Sequence, residues 1–217
     1  MKSFAPTLRL TLLTLATAAS LQACAPLLVG GAAVGGSLMV TDRRTSGTQV
    51  EDKSIEIKGA NRVKEALGDR GHVNINSYNR LVLLTGEVPT EADKAAAEQA
   101  VSRVENVKSV VNELAVGFNS SLTSRSNDVL LQGKVKATLV DTKDLISNAF
   151  DIVVERGNVY LMGRVTEREA TRATDLTRSI AGVAKVVRVF EIITEAELAD
   201  QPAPTRPAPT VTPGTAP

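Results

Sequence analysis

Apolar residues recur at every second position through Val82, Leu84 and Val88, and again through Val159, Leu161 and Val165, a period that predicts a strand in each stretch. The segments Val82-Leu83-Leu84-Thr85-Gly86-Glu87-Val88-Pro89-Thr90-Glu91-Ala92 and Val159-Tyr160-Leu161-Met162-Gly163-Arg164-Val165-Thr166-Glu167-Arg168-Glu169 repeat one pattern about 77 positions apart, so the chain reads as a tandem of one module. In the first copy Val63 and Leu67 lie one helical turn apart, Val73, Ile75 and Ser77 alternate as a strand, and Asn79-Arg80 turns the chain into strand 81–88. Thr90 caps a helix whose Ala92, Ala96, Ala100 and Val104 recur at helical spacing, and 107–116 closes the copy as a strand. The second copy keeps the order. Leu131, Val135 and Leu139 share a helical stripe, Phe150, Ile152 and Val154 alternate, Gly157-Asn158 turns, and 159–165 returns. Thr166 with Glu169 spells a capping box ahead of Ala170, Ala173, Leu176 and Ile180, and 183–193 is the last strand. The expected fold class is α+β: two tandem αββαβ modules, each a small three-stranded sheet with two helices on one face.

The chain ahead of the modules has a different grammar. Lys2 and Arg9 precede the apolar run 10–19 and then Leu21-Gln22-Ala23-Cys24, so 1–23 reads as an export signal, too short to span a membrane. Leu-x-Ala-Cys resembles the bacterial lipobox, which predicts acylation of Cys24, the chain's one cysteine, and leaves no thiol for a disulfide. Each buried CH₂ of an acyl chain contributes roughly 0.8 kcal/mol, so several chains anchor the protein firmly. Ala25 rather than Asp after that cysteine resembles the pattern sorted to the outer membrane, with the modules hanging in the periplasm. Residues 24–54 read as lipidated tether and linker. The glycine-rich part, 25–40, serves either as a tether near the headgroups or as a small-residue surface for a partner helix. The modules then occupy 55–117 and 127–194, joined by a Ser-rich connector, 118–126, and followed by a Pro-rich tail, 195–217, expected to stay extended and unpacked.

Modules of roughly 60 to 70 residues bury only about 60% of the surface their unfolded chains expose, so packing of one copy on the other is an expected source of stability. Gly86 and Gly163 occupy one strand position, in phase with the core-facing residues. They predict a place where a helix lies tight on the sheet.

The two opening helices differ on their outward faces. With Leu131, Val135 and Leu139 turned inward, Leu130, Ala137 and Val140 point away, and Lys134 and Lys136 fall on the two flanks. Carbon bordered by ammonium groups suits an anionic lipid surface. The other reading of Leu130 and Val140 is packing against the first module. In the first copy the same wheel puts Asn61, Arg62 and Glu65 outside, a solvated face.

Net charge of +1 with scattered acids and bases argues against a nucleic-acid binder working through bulk charge. His72, the sole histidine, reads as a surface or turn residue, and no Ser-His-Asp set, phosphate loop or metal-ligand spacing accompanies it. The expectation is therefore a protein that is not an enzyme, with no catalytic residue, cofactor, metal or small-molecule substrate.

The Leu-x-Gly-x-Val strand, the Thr-capped alanine-rich helix and the valine-rich last strand are similar to the BON domain. Together with Leu21-Gln22-Ala23-Cys24, Gly47-Thr48-Gln49-Val50, Ser126-Asn127-Asp128 and the run 161–170, they resemble dual-BON outer-membrane lipoproteins that bind anionic phospholipid. The resemblance implies phosphatidylglycerol as ligand, contact through the second module, and a role in membrane integrity and placement at selected envelope sites. Those relatives carry a tryptophan where Leu130 stands, and this chain has none. The alternative is an adaptor for outer-membrane assembly or cell-wall remodelling proteins, docking through a sheet face or the glycine tether.

Overall fold

Thr45 starts the first module, well ahead of the predicted boundary at residue 55. Its hydroxyl accepts a hydrogen bond from the Thr48 N–H at 3.1 Å and opens helix α1, Ser46–Leu67, so 46–54 is helix rather than linker. Asp52, Ile55, Gly59, Val63 and Leu67 form its buried stripe, and the charged Asp52 at its head hides that stripe from a search for apolar periodicity. The computed structural model describes residues 42–200; the export signal, Cys24, most of the tether and the tail beyond 200 lie outside the described residues.

Strands β1 (His72–Tyr78) and β2 (Leu81–Val88) form an antiparallel hairpin, and helix α2 (Glu91–Ser102), capped by Thr90, carries the chain over to a parallel partner of β2. The predicted last strand is two short pieces, β3 (Ser109–Asn112) and β4 (Ala115–Val116), both paired with β2. The inward face of α2 is Ala97 and Val101, with Ala96 and Ala100 partly covered and Ala92 exposed, so the stripe is rotated from the predicted one.

In the second module helix α3 spans Leu122–Asp141, capped by Ser121, and so takes in part of the predicted connector. Strands β5 (Phe150–Glu155) and β6 (Asn158–Thr166) are antiparallel. Helix α4 (Glu167–Arg178), with the predicted Thr166/Glu169 capping box, leads to β7 (Lys185–Ile193), parallel to β6. A short helix α5, Glu195–Ala199, occupies the start of the predicted tail.

Each sheet has helices on one face only, and its other face meets the sheet of the other copy. Tyr78 and Leu83 pack with Tyr160, Met162 and Val189 in a shared layer, while separate clusters lie under each helix pair. Strands β2 and β6 are thus covered on both sides, which is why they read as nearly unbroken apolar runs. The sheet face offered by the adaptor reading is consumed by this seam.

One device is repeated. Asp52 of α1 accepts hydrogen bonds from the backbone N–H groups of Asn79 (2.8 Å) and Arg80 (2.7 Å), and Asp128 of α3 accepts from those of Arg156 and Gly157 (2.8 Å each). All four donors sit at positive φ, the paired left-handed conformation of a two-residue hairpin turn, so each buried carboxylate fixes its turn onto the opening helix.

Gly86 and Gly163 are close-approach positions, but the neighbour is backbone at the head of the partner strand, His72 of β1 and Ala149 of the 3₁₀ turn just before β5, rather than a helix packed on the sheet. A Cβ on Gly86 would lie 2.0 Å from the His72 carbonyl oxygen, at φ +112°, and one on Gly163 would lie 2.4 Å from that of Ala149. The glycines let the carbonyl at the entry of the neighbouring strand lie against the central strand.

Candidate functional site

Helix α3 is apolar on two sides. Leu131, Val135 and Leu139 are buried beneath it, as the sequence predicts. On the far side Leu130 is 66% exposed, Val140 58% and Val129 67%, so Leu130 and Val140 are not covered by the first module. Ala137 and Gly133 are also exposed and continue that strip along the axis. Leu122 in the first turn, at the angle of Val140 on the helix, extends it further, and Phe118 in the loop ahead is exposed as well. Val129, Leu122 and Phe118 were absent from the predicted set. Val129 falls on the helical wheel between Val140 and Lys136, at the edge of the predicted strip, whereas the other two fall in the stretch read as connector.

The two lysines differ. Lys134 is exposed beside Leu130 on one flank of the strip. Lys136 is not a free rim charge: its ammonium donates to the Ser147 carbonyl oxygen at 2.9 Å. Burial lowers its pKa, and only the neighbouring Asp151 carboxylate works the other way. The 3₁₀ turn Ser147–Ala149 folds under this flank of α3 and captures the side chain, which helix geometry alone could not reveal.

Between α3 and the turns at 156–157 and 181–182 runs an open groove of about 410 Å³, lined by Leu130, Leu131, Lys134, Asp128, Gly157 and Gly182. It places a flexible cation, a helix flank and two glycine turns around a space of headgroup size. Among the described residues no helix is long and apolar enough to cross a membrane. An exposed strip of this kind fits contact with an interface rather than insertion through one.

The chain reaches α1 by way of the second module. The Arg43 guanidinium donates to both carboxylate oxygens of Glu169 at 2.7 Å each and to the Arg164 carbonyl oxygen at 3.0 Å. Both side chains are buried. Burial tends to raise the Glu169 pKa, but Arg43 and the Thr166 N–H prevail and hold it below the ordinary carboxylate value. The first described residues are therefore fixed against the module that carries the strip. His72, predicted as a surface or turn residue, is instead the first residue of β1, and its side chain is only 29% exposed.

The family model described as BON domain matches residues 60–117 and 127–194. An outer membrane lipoprotein, DolP, of Haemophilus influenzae is 37% identical over 175 residues, covering 80% of this chain and 90% of that protein. A 21 kDa hemolysin of Actinobacillus pleuropneumoniae is 29% identical over 154 residues, covering 70% and 79%. Among solved structures, the C-terminal domain of CdsD, a type III secretion structural protein of Chlamydia trachomatis, aligns with 62% of this chain and 96% of its own. That alignment has 12% identity and a TM-score of 0.28.

Proposed function

This chain belongs to the BON domain family, and from that premise we propose that it is a binding protein without catalytic activity whose second module contacts anionic phospholipid. The protein is an outer-membrane lipoprotein facing the periplasm of a Gram-negative bacterium, and Cys24 carries the anchoring acyl chains. The observation that carries the lipid reading is the outward strip of α3, with Val129, Leu130 and Val140 each more than half exposed and Lys134 at its edge.

Magnitudes explain why the anchor matters. Burying a large aliphatic side chain completely is worth about 1.5–3 kcal/mol, so the exposed fractions of these three supply about 3–5 kcal/mol on entering the acyl boundary. One lysine near an anionic surface adds about 1 kcal/mol. Together these give about 4–6 kcal/mol, so alone the strip binds with an affinity between about millimolar and tens of micromolar. Tethered at the same leaflet it faces an effective concentration of about millimolar, and the contact is about half occupied or more. Phosphatidylglycerol supplies the negative charge at Lys134, and its enrichment at particular envelope sites would place the protein there.

The test is flotation of the mature chain bearing Cys24→Ser, which removes the lipid anchor, with vesicles at millimolar lipid. Recovery is expected to be clearly higher with phosphatidylglycerol vesicles than with phosphatidylcholine vesicles, because the lysine's share of about 1 kcal/mol is roughly a fivefold difference, and is lost in Leu130→Glu and reduced in Lys134→Glu. Equal recovery on both lipids removes the anionic-lipid reading.

A further inference from the structure

Where the two sheets meet, near the start of β1, three metal-ligating side chains converge from both modules. His72 and Glu87 face each other across β1 and β2, and Glu155 arrives from the end of β5. One ligand atom from each lies within 4.8 Å of the others, the one such group of three among the described residues. The pairing of groups is unusual for a seam otherwise filled by Tyr, Leu, Met and Val.

Glu87 is the second observation. Its side chain is 0% exposed, yet neither carboxylate oxygen has a hydrogen-bond partner, and the facing Nδ1 of His72 has none either. The nearest basic groups stop short: His72 Nδ1 is 3.9 Å from one Glu87 oxygen and Arg156 Nε is 3.9 Å from the other. A buried carboxylate left without partners costs several kcal/mol, a penalty seldom retained without something to fill it. Glu155, by contrast, is oriented by Asn74, whose Nδ2 donates to it at 2.9 Å, the kind of outer support that metal-binding carboxylates use.

We infer that His72, Glu87 and Glu155 bind one divalent transition-metal ion of the Zn²⁺ type, and that this ion clips the two BON modules together across their seam. One imidazole nitrogen with two carboxylates is a donor set for borderline ions, whereas Ca²⁺ and Mg²⁺ favour oxygen-only shells. Zinc–ligand bonds of about 2.0–2.2 Å set tetrahedral ligand separations near 3.4 Å, so the three atoms need only close by torsions of the two glutamate side chains. A water completes the shell. Arg156, half exposed, is the present counter-charge to Glu87, and it can withdraw to solvent when the ion enters. The ligands come from positions 72, 87 and 155, so no local spacing motif announces them. This inference does not depend on the lipid contact, which lies on the outward face of α3.

The test uses the untagged full-length lipoprotein in detergent, Zn²⁺ as the probe, titration calorimetry, and the imidazole resonances of the chain's single histidine. One equivalent is expected to bind, to shift the His72 resonances in step with occupancy, and to raise the melting temperature. His72→Gln, Glu87→Gln and Glu155→Gln should each reduce affinity at least tenfold, with metal-free melting retained by Glu155→Gln as the folding control. Arg156→Ala, which removes the competing cation, should strengthen binding. Failure of the wild type to bind in excess Zn²⁺, or binding that survives His72→Gln, overturns the inference.

Discussion

Replacing Asp52 by alanine should destabilise the first module far more than its place in an apparent linker would suggest. One carboxylate oxygen accepts from the Ser77 hydroxyl at 2.8 Å and the Arg80 N–H at 2.7 Å, and the other accepts from the Asn79 N–H at 2.8 Å and from Arg44 at 2.9 Å. Hydrogen bonds to a charged group contribute about 1.5–3 kcal/mol each. The full sum overstates the loss, because the turn N–H groups are only partly buried and water can reach them, and Arg44 keeps its pair with Asp42 at 2.7 Å. The buried serine hydroxyl and the two turn amides then set a cost of about 3–4 kcal/mol. For a folded unit of this size that is a fall in Tm of about 6–16 °C. Asp128→Ala, which strips only the two amides at 156 and 157, should cost about 2 kcal/mol. Urea unfolding followed by circular dichroism measures both. A loss under about 1 kcal/mol for Asp52→Ala would refute the claim that this carboxylate fixes the hairpin turn to the opening helix.

Three further outcomes are expected. Gly86→Ala, which sets a Cβ against the His72 carbonyl oxygen at a φ that side chains avoid, should cost about 3 kcal/mol, and Gly163→Ala, a steric conflict without the φ penalty, somewhat less; thermal melts rank them. Arg43→Ala, which leaves Glu169 buried and unpaired, should cost about 3 kcal/mol at neutral pH by urea unfolding. Because the folded-state pKa of Glu169 lies below its ordinary value of 4.5, its stabilisation is complete above that value and is lost as pH falls through the folded one. The gap between wild type and Arg43→Ala should therefore narrow in acid, and a gap that is independent of pH would contradict that assignment.

The duplication, the αββαβ order and the capping box at Thr166 were legible because each is local and each occurs in a period that the side chains report directly. The start of α1 was not, since its buried stripe begins with Asp52, a residue that looks solvated until its four donors are known. The two glycines announced a close approach without saying to what. A missing Cβ is visible in sequence, but the carbonyl that fills its place is not. Within the candidate site, helical geometry correctly turned Leu130 and Val140 outward and put Lys134 on the flank. It misjudged Lys136, because the 3₁₀ turn that captures its ammonium comes from the next loop. The seam itself could be anticipated only as a need for extra burial, not as the sheet-to-sheet contact it is.

The most direct test of the lipid account asks which surface touches the bilayer. With Cys24→Ser removing the only thiol, a fluorophore is placed on Val140→Cys of the second module or, separately, on Arg62→Cys of the first. Quenching by lipids brominated along their acyl chains is then read in phosphatidylglycerol vesicles. Strong quenching at 140 with none at 62 is the predicted result; equal quenching at both positions, or none at 140, would contradict it.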